Sequence, residues 1–471
     1  MLKLGLKILL SLLLCAVIAA GWLLGTDSGT RTAFKTIEGL VPGLQVQKIN
    51  GRLIGPLSLT GLLFETDTIR VRVKTAHLNW QPSKLLAATV SVTELKAVGL
   101  YVTQLKSTPP SEELLTLPDS LPLPVTVKVA TLQITDVQWR AAVNATPVVI
   151  NQLSAKFLAN ADQVDVSSLK VRAPKFTVAG KLLSRVSDNY QSHAALKWRF
   201  LDDELADATG HLNLQGDLSK LNIVVSANAA LPKYGDFSAD VHGFANIDAL
   251  TITTLNLQQD GTAMAIDGNA FVAFAAEKPT VEAELNWQEL QWPLAEPQEL
   301  PPPSKLTPTA RPAPPAPAAL VSSREGQLHV FGTLDEYTAE LSAQVSTAQA
   351  PDGSVSLEAK GSREQVELHD IEFNVLKGAI SGEVSLSWAE QFNSHFNLRG
   401  KDLDPGELLK DWPGRIRFSA QGHQQGSEIT IEKLNATGKL RDNPFELQAK
   451  LNYDGKTTDV RALKLRSGSS R

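Results

Sequence analysis

Hydrophobic and polar side chains alternate along most of this chain. From residue 380 to residue 388 every second position is apolar or glycine, and serine or glutamate fills the positions between them. This period of two is that of a β-strand with one dry face and one wet face. The same alternation covers residues 69–74, 125–129 and 445–453, whereas a helical period is confined to short windows such as 81–88 and 403–412. The sequence therefore predicts an all-β protein.

A second pattern places glycine where a strand would otherwise carry an apolar side chain. The order apolar-x-apolar-x-Gly-x-apolar recurs along the chain, with the glycine on the dry side each time. Glycine weakens a strand interior, so its recurrence predicts either bending of the sheet or close approach of another group to the backbone. These candidate sheet-curling glycines are Gly180, Gly216, Gly268, Gly332, Gly382 and Gly438.

Proline-rich segments divide the chain. Ten prolines fall within residues 293–319, and such a segment neither pairs as a central strand nor continues a helix, so we predict a spacer there. A shorter proline-containing segment predicts a linker at residues 108–124. The predicted β blocks are residues 26–107, 125–292 and 320–471.

The N-terminus carries a long apolar run. Residues 4–24 contain one charged side chain, Lys7, and 21 helical residues at ~1.5 Å each would span about 30 Å of hydrocarbon. Because the run is longer than a signal-peptide core and continues through residues 22–24 before it turns polar, we predict an uncleaved anchor over residues 1–25, with cleavage as the alternative. Lys3 and Lys7 favour a cytoplasmic N-terminus, which would place the bulk of the chain across the membrane.

Composition and motifs exclude several classes of function. The net charge of -5 and the absence of long basic runs argue against nucleic-acid binding. A single cysteine, Cys15, cannot form a disulfide within the chain or a cysteine-based metal cluster. The eight histidines form no zinc motif, and no nucleophile elbow or phosphate-binding loop is present. We therefore predict a protein without catalytic residues, cofactor or metal.

Four segments resemble the TamB family of inner-membrane proteins. They are residues 41–86, directly after the apolar run, LNWQELQWPL at 285–294, residues 326–341 and residues 401–416. The resemblance implies an elongated, curled, open β-sheet with an apolar groove, reaching from the inner membrane into the periplasm, and a relationship to AsmA-like and bridge-type lipid transfer proteins. It also implies an outer-membrane partner, TamA, bound through a C-terminal region that the printed sequence does not contain.

The dry face supplies candidate residues for the lining of that groove. Their structural alternative is the packed core of closed β-sandwiches, which apolar content alone does not distinguish from a groove. The candidate lining residues are Leu212, Leu214, Leu328, Val330, Ile371, Phe373, Val375, Ile380, Val384, Leu386, Phe445, Leu447 and Leu451.

Two functions remain open at this stage. The first is a lipid conduit that accepts phospholipid acyl chains and supplies the outer membrane; the second is an assembly factor that acts with a TamA-like protein to insert outer-membrane β-barrels and autotransporters. When Gly468 is aligned with Gly378, the sequence stops within a repeat. We therefore expect this chain to be a piece of a longer protein or a shortened form of one.

Overall fold

The secondary structure of the chain is almost entirely β. The computed structural model describes residues 22–106, 121, 123–202, 206–274, 278–294, 320–333, 335–347, 350–389 and 391–468. Within these residues there are 25 strands, two 3₁₀ helices and the α-helix Asp27–Leu40, and residues 22–25 are also helical. The prediction of an all-β protein is confirmed. The chain divides into two compact units, residues 1–224 and 225–471, and one strand, β11 (Leu221–Leu231), crosses the division.

The first unit pairs its strands in sequence order. Each strand hydrogen-bonds to the next one along the chain, and every pair except one is antiparallel. The strands are β1 (Leu44–Gly51), β2 (Leu57–Glu65), β3 (Ile69–Gln81), β4 (Thr89–Gln104), β5 (Thr126–Arg140), β6 (Val148–Ala159), β7 (Gln163–Arg172), β8 (Phe176–Arg185), β9 (Gln191–Asp202) and β10 (Ala206–Gly216).

The exception is the parallel pair of β4 and β5, whose register runs from Thr89–Thr126 to Thr103–Arg140. A parallel pair needs a connection that returns the chain to the starting end of the sheet. The segment predicted as a linker, residues 108–124, is that connection. It therefore joins two strands that are neighbours in one sheet. The structure of most of this segment lies outside the described residues.

An α-helix, α1 (Asp27–Leu40), lies against the outer edge of β1, and the sequence analysis did not predict it. The helix begins where the Thr26 side chain accepts a hydrogen bond from the Gly29 amide at 3.0 Å. The Glu38 carboxylate accepts a hydrogen bond from the Val46 amide of β1 at 2.7 Å. A strand edge with free amides is a template for unwanted pairing, and α1 occupies part of that edge.

The second unit continues the same pairing without a parallel step. Every strand from β12 to β25 pairs antiparallel with the next. The strands are β12 (Gly235–Ala245), β13 (Ala249–Gln259), β14 (Ala265–Ala273), β15 (Thr280–Trp292), β16 (Val321–Thr333), β17 (Tyr337–Thr347), β18 (Ala350–Gly361), β19 (Gln365–Val375), β20 (Gly378–Ser387), β21 (Asn393–Leu403), β22 (Gly414–Gln425), β23 (Glu428–Leu440), β24 (Asn443–Tyr453) and β25 (Thr458–Ser467).

The proline-rich segment at residues 293–319 connects two paired strands of this unit. β15 and β16 pair directly from Thr280–Thr333 to Trp292–Val321, so the chain leaves the sheet after β15 and re-enters it beside the same strand. The two windows with a helical period contain 3₁₀ helices, Pro82–Ala87 and Pro405–Glu407. The predicted block boundaries remain predictions.

The predicted N-terminal anchor, residues 1–25, lies almost entirely outside the described residues. No helix within the described ranges combines the length and the apolar character needed to cross a bilayer. The anchor therefore remains a prediction from the sequence.

Candidate functional site

The candidate lining residues of β19 and β20 share one face of the sheet. Phe373 lies opposite Ile380, and Val366 lies opposite Leu386. Directly opposed residues of an antiparallel pair point to the same side. The same face continues into β21, where Phe396 lies opposite Val384.

This apolar face extends through the second unit in both directions. Toward β12 it passes through the pairs Leu328–Leu341 and Leu285–Leu328. Toward β25 it passes through Leu434–Ala449 and Leu447–Leu465. Eleven of the thirteen candidate lining residues lie on it. They are Leu328, Val330, Ile371, Phe373, Val375, Ile380, Val384, Leu386, Phe445, Leu447 and Leu451.

The first unit has an apolar face of its own, which carries the remaining two candidates. Leu212 and Leu214 of β10 lie opposite Leu196 and Ala194 of β9. Leu196 also lies opposite Gly180 of β8, and the same side continues through apolar pairs toward β2.

β-bulges keep each apolar face continuous. On β19, Leu368 and Ile371 both face the apolar side although they are three residues apart, because the register shifts between them. The extra residue lies at Asp370, which has a positive φ of 48°. A bulge adds one residue to one strand of a pair and bends that strand. The apolar residues therefore change from even to odd positions at Asp370, but they stay on the same face of the sheet.

The bulge in β19 was not predicted, and Val366 and Leu368 were therefore absent from the candidate lining residues. A period of two carried back from Ile371 assigns both to the wet face, whereas the structure puts them on the apolar face. The signal was present as the spacing apolar-x-apolar-x-x-apolar-x-apolar. It occurs at residues 90–97, 127–134, 164–171, 250–257, 366–373 and 429–436, each time at a register shift.

The apolar side chains are only partly covered by other protein groups. Twelve of the thirteen candidate residues are half-buried, and Val375 alone is buried. The described residues contain fifteen buried hydrophobic side chains, and seven of these are alanine. The two inner faces of a closed sandwich interdigitate into a core of large, fully buried side chains. Such a core is not found in the described parts of either unit.

The six candidate glycines have three kinds of position. Gly180, Gly268 and Gly382 are opposite a residue that flanks a bulge, whereas Gly216 is the last residue of β10 and Gly332 the second-last residue of β16. Gly438 lies inside β23, opposite Ile416 and Phe445. At all six positions a Cβ atom would overlap a backbone carbonyl oxygen of the adjacent strand or turn. This close approach agrees with one of the two explanations given by the sequence; whether the glycines curl the sheet stays a prediction.

The opposite face is polar and is crossed by side-chain hydrogen bonds. In the second unit the Gln421 amide donates to Asn397 at 3.3 Å, and the Asn397 amide donates to Glu383 at 3.3 Å. A cavity of about 890 Å³ lies on this face, beside Arg399 and Arg417. The wet and dry faces predicted from the alternation are thus chemically distinct surfaces.

Electrostatic interactions on the polar face join strands rather than form a reaction centre. In the first unit the Tyr101 hydroxyl donates to Asp136 at 2.6 Å, and the Lys74 ammonium lies 3.0 Å from the same carboxylate oxygen. The Tyr101 hydrogen bond, with help from Lys74, lowers the pKa of Asp136 below its usual value. The three residues come from β3, β4 and β5, so they connect the strands on both sides of the parallel pair.

Backbone amides also hold Asp404, which lies beside the second 3₁₀ helix. Its carboxylate accepts hydrogen bonds from the amides of Gly414 at 2.9 Å and Gly406 at 3.0 Å. These bonds lower the pKa of Asp404 and fix the turn that joins β21 to β22. No group of three or more metal-ligating side chains is arranged for a metal ion within the residues that the structure describes.

Comparison with known protein families identifies the chain. Three segments, residues 14–140, 113–242 and 245–471, match the family described as "TamB, N-terminal domain". The chain belongs to the TamB family. The resemblance seen in the four sequence segments is thereby confirmed, and the TamB match extends over nearly the whole printed sequence. No solved structure matches this TamB-family chain. Membership supports, in general terms, a role in outer-membrane assembly and lipid transport in the cell envelope.

Proposed function

We propose that this TamB-family chain is a non-enzymatic, inner-membrane-anchored periplasmic protein whose apolar β-faces carry phospholipid acyl chains between the inner and outer membranes. The observation that supports this proposal most directly is the apolar face of the second unit. Bulges keep that face in phase from β12 to β25, and its large side chains are left half-exposed. A surface of this kind offers apolar contacts to a ligand rather than to a second protein layer.

The energetics of lipid transfer match such a surface. A 16-carbon acyl chain that enters water exposes about 15 methylenes at ~0.8 kcal/mol each, or about 12 kcal/mol in total. Contact with half-exposed leucine, valine and phenylalanine side chains would recover much of this free energy without any chemical step. The polar headgroup would remain in water, because an open sheet does not enclose its ligand.

The partners and location follow from the same proposal. Residues 4–24 would anchor the chain in the inner membrane with its N-terminus in the cytoplasm. A TamA-like outer-membrane protein would bind through a C-terminal region that lies beyond the printed sequence. Both statements rest on the family and on the apolar run.

One observation favours a second candidate function. The chain belongs to a family whose general role includes outer-membrane assembly. Free amides and carbonyls at a sheet edge can add a strand from another chain. An assembly factor for outer-membrane β-barrels and autotransporters could hold a nascent strand in that way.

Photo-crosslinking distinguishes the two functions. A photoreactive residue would replace Val384 or Leu386 on the apolar face of β20 in the full chain, within the cell envelope. Matched controls carry it at Glu383 or Ser385, on the polar face of the same strand. The lipid-transfer proposal expects phospholipid adducts at positions 384 and 386 and none at 383 and 385. Equal lipid capture on the two faces contradicts it, and capture of barrel polypeptides at positions 384 and 386 without any lipid supports the assembly function.

A further inference from the structure

The end of the first unit that receives the N-terminal segment carries unusually exposed apolar side chains. Leu86, in the 3₁₀ helix Pro82–Ala87, is 95 % exposed, and its neighbour Leu85 is 45 % exposed. Ile54, in the turn between β1 and β2, is 46 % exposed. A leucine this exposed contributes nothing to the interior of the sheet, and several exposed apolar side chains close together mark a candidate interaction surface.

Backbone and side-chain contacts place these residues at one end of the sheet. The Ile54 amide donates to the Leu24 carbonyl at 3.0 Å. The Trp80 indole donates to the Leu53 carbonyl at 2.7 Å, and the 3₁₀ helix begins two residues after Trp80. Leu24 therefore lies beside one end of the sheet. This end is formed by the turn between β1 and β2, the end of β3 and the start of β4.

The apolar run that precedes Leu24 indicates that this surface contacts a membrane. Residues 4–24 are the apolar run, long enough to cross a bilayer, and it meets the sheet at Leu24. The two turns at this end carry Arg52 and Lys84 and no acidic side chain. Apolar side chains flanked by basic ones are the combination that binds the interface of an anionic membrane.

We propose that the 3₁₀ helix Pro82–Ala87 and the turn Gly51–Pro56 form a membrane-contact rim. Leu85, Leu86 and Ile54 insert among the lipid chains at the surface of the bilayer, and Arg52 and Lys84 lie at the lipid phosphates. The rim would fix the first strands upright on the membrane surface. This inference rests on the proposed anchoring of residues 4–24, and the test below separates the two.

The opposite end of the same strands provides a matched control. Leu40, the last residue of α1, is 74 % exposed. It lies near the turn between β2 and β3, because the Glu65 amide donates to the Gly43 carbonyl at 3.0 Å, and that turn contains the acidic residue Asp67. The 14 residues of α1 separate the two ends by about 20 Å at ~1.5 Å per residue.

The test measures the depth of single fluorescent labels in the full chain, reconstituted in vesicles of phosphatidylethanolamine and phosphatidylglycerol. An environment-sensitive fluorophore is attached to L86C or to L40C, each in a C15S background, and to the native Cys15 of the unchanged protein. Quenchers are doxyl groups on lipid chains and iodide in the buffer. We expect the label at position 86 to show blue-shifted emission and quenching by doxyl lipids, and the label at position 40 to be quenched by iodide alone.

The outcomes separate this inference from the proposed anchoring. Quenching of the Cys15 label by doxyl lipids, together with iodide quenching at position 86, overturns the rim and leaves the anchor intact. A position-86 label shielded from both quenchers would also overturn the rim, because protein would then cover the site. Iodide quenching of the Cys15 label overturns the anchoring itself. Since Leu86 is almost fully exposed, its replacement by cysteine leaves the fold unchanged.

Discussion

Replacing Gly382 with alanine tests whether close strand approach at the bulges holds the apolar face together. Gly382 lies in β20 between Ile371 of β19 and Leu398 of β21. Its φ is +156°, a conformation that side chains rarely adopt, and an added Cβ would overlap the carbonyl oxygen of Asn397. The same Cβ would lie 3.0 Å from the Cα atom of Leu398, so β21 would have to move away.

The size of the effect on stability follows from backbone strain at position 382 and from hydrogen bonds lost between β20 and β21. Backbone strain at a disfavoured φ costs about 1–3 kcal/mol, and each hydrogen bond lost between β20 and β21 costs about 0.5–1.5 kcal/mol. Their sum for one lost bond is about 1.5–4.5 kcal/mol. Because 1.4 kcal/mol corresponds to a factor of ten in an equilibrium constant, local opening of these strands should rise by about 10- to 1500-fold.

Native-state hydrogen exchange measured by mass spectrometry reads this opening locally. Peptides that cover β20 and β21 should exchange faster in G382A, whereas peptides from the first unit should not change. G39A is the matched control, since no atom would lie within 4 Å of its Cβ and alanine stabilises a helix relative to glycine. Parental exchange rates in β20 and β21 of G382A would refute the argument that strand approach requires glycine there.

Three further predictions concern the two faces. Leu386→Glu should lower lipid transfer by two or more powers of ten, because an unpaired carboxylate against an acyl chain costs several kcal/mol; Ser385→Glu, on the polar face, should leave transfer unchanged in a vesicle assay. Deletion of Asp370 should turn Leu368 to the polar face, because it removes the extra residue of the bulge. Asp370→Gly keeps that residue and should leave Leu368 on the apolar face. Thiol labelling of L368C from each side of the sheet reports the difference. Folding lowers the pKa of Asp136, so the ionised carboxylate stabilises the folded state. This stabilisation is fully present above the carboxyl's unfolded pKa and is lost as the pH falls through the lower folded pKa. Asp136→Asn should remove this acid sensitivity from the thermal unfolding midpoint of the first unit.

Alternation along the sequence was sufficient to predict strands and the face of each candidate lining residue within its own strand. It worked best where a strand has no bulge, as in β20, where Ile380, Val384 and Leu386 have one parity and one face. The turn between β19 and β20 has two central residues with positive φ, Leu376 and Lys377. Strand alternation and turns depend on neighbouring residues, so they can be predicted from a short stretch of sequence.

The remaining features depend on groups that are distant in sequence. A bulge is defined by the partner strand, so the sequence of β19 alone does not show that Leu368 faces the apolar side. The parallel pairing of β4 with β5 depends on a connection of more than twenty residues, whose proline content suggested a separation between blocks. Helix α1 was not predicted, although its sequence is amphipathic. Its contacts with β1 include the hydrogen bond between Glu38 and the Val46 amide, and a helix this short depends on such tertiary contacts.

Pairing between sequence neighbours alone has an evolutionary consequence. Within the described residues of β12 to β25, each two-strand hairpin bonds only to the hairpins before and after it. Where a pair contains a bulge, the bulge keeps the apolar side in phase. Duplication or loss of one whole hairpin would therefore leave every other hairpin with compatible neighbours. Insertion of a single strand would reverse the chain direction of all that follow. Genes for such sheets can change the reach of the protein in steps of two strands, without redesign of the surface that contacts the ligand.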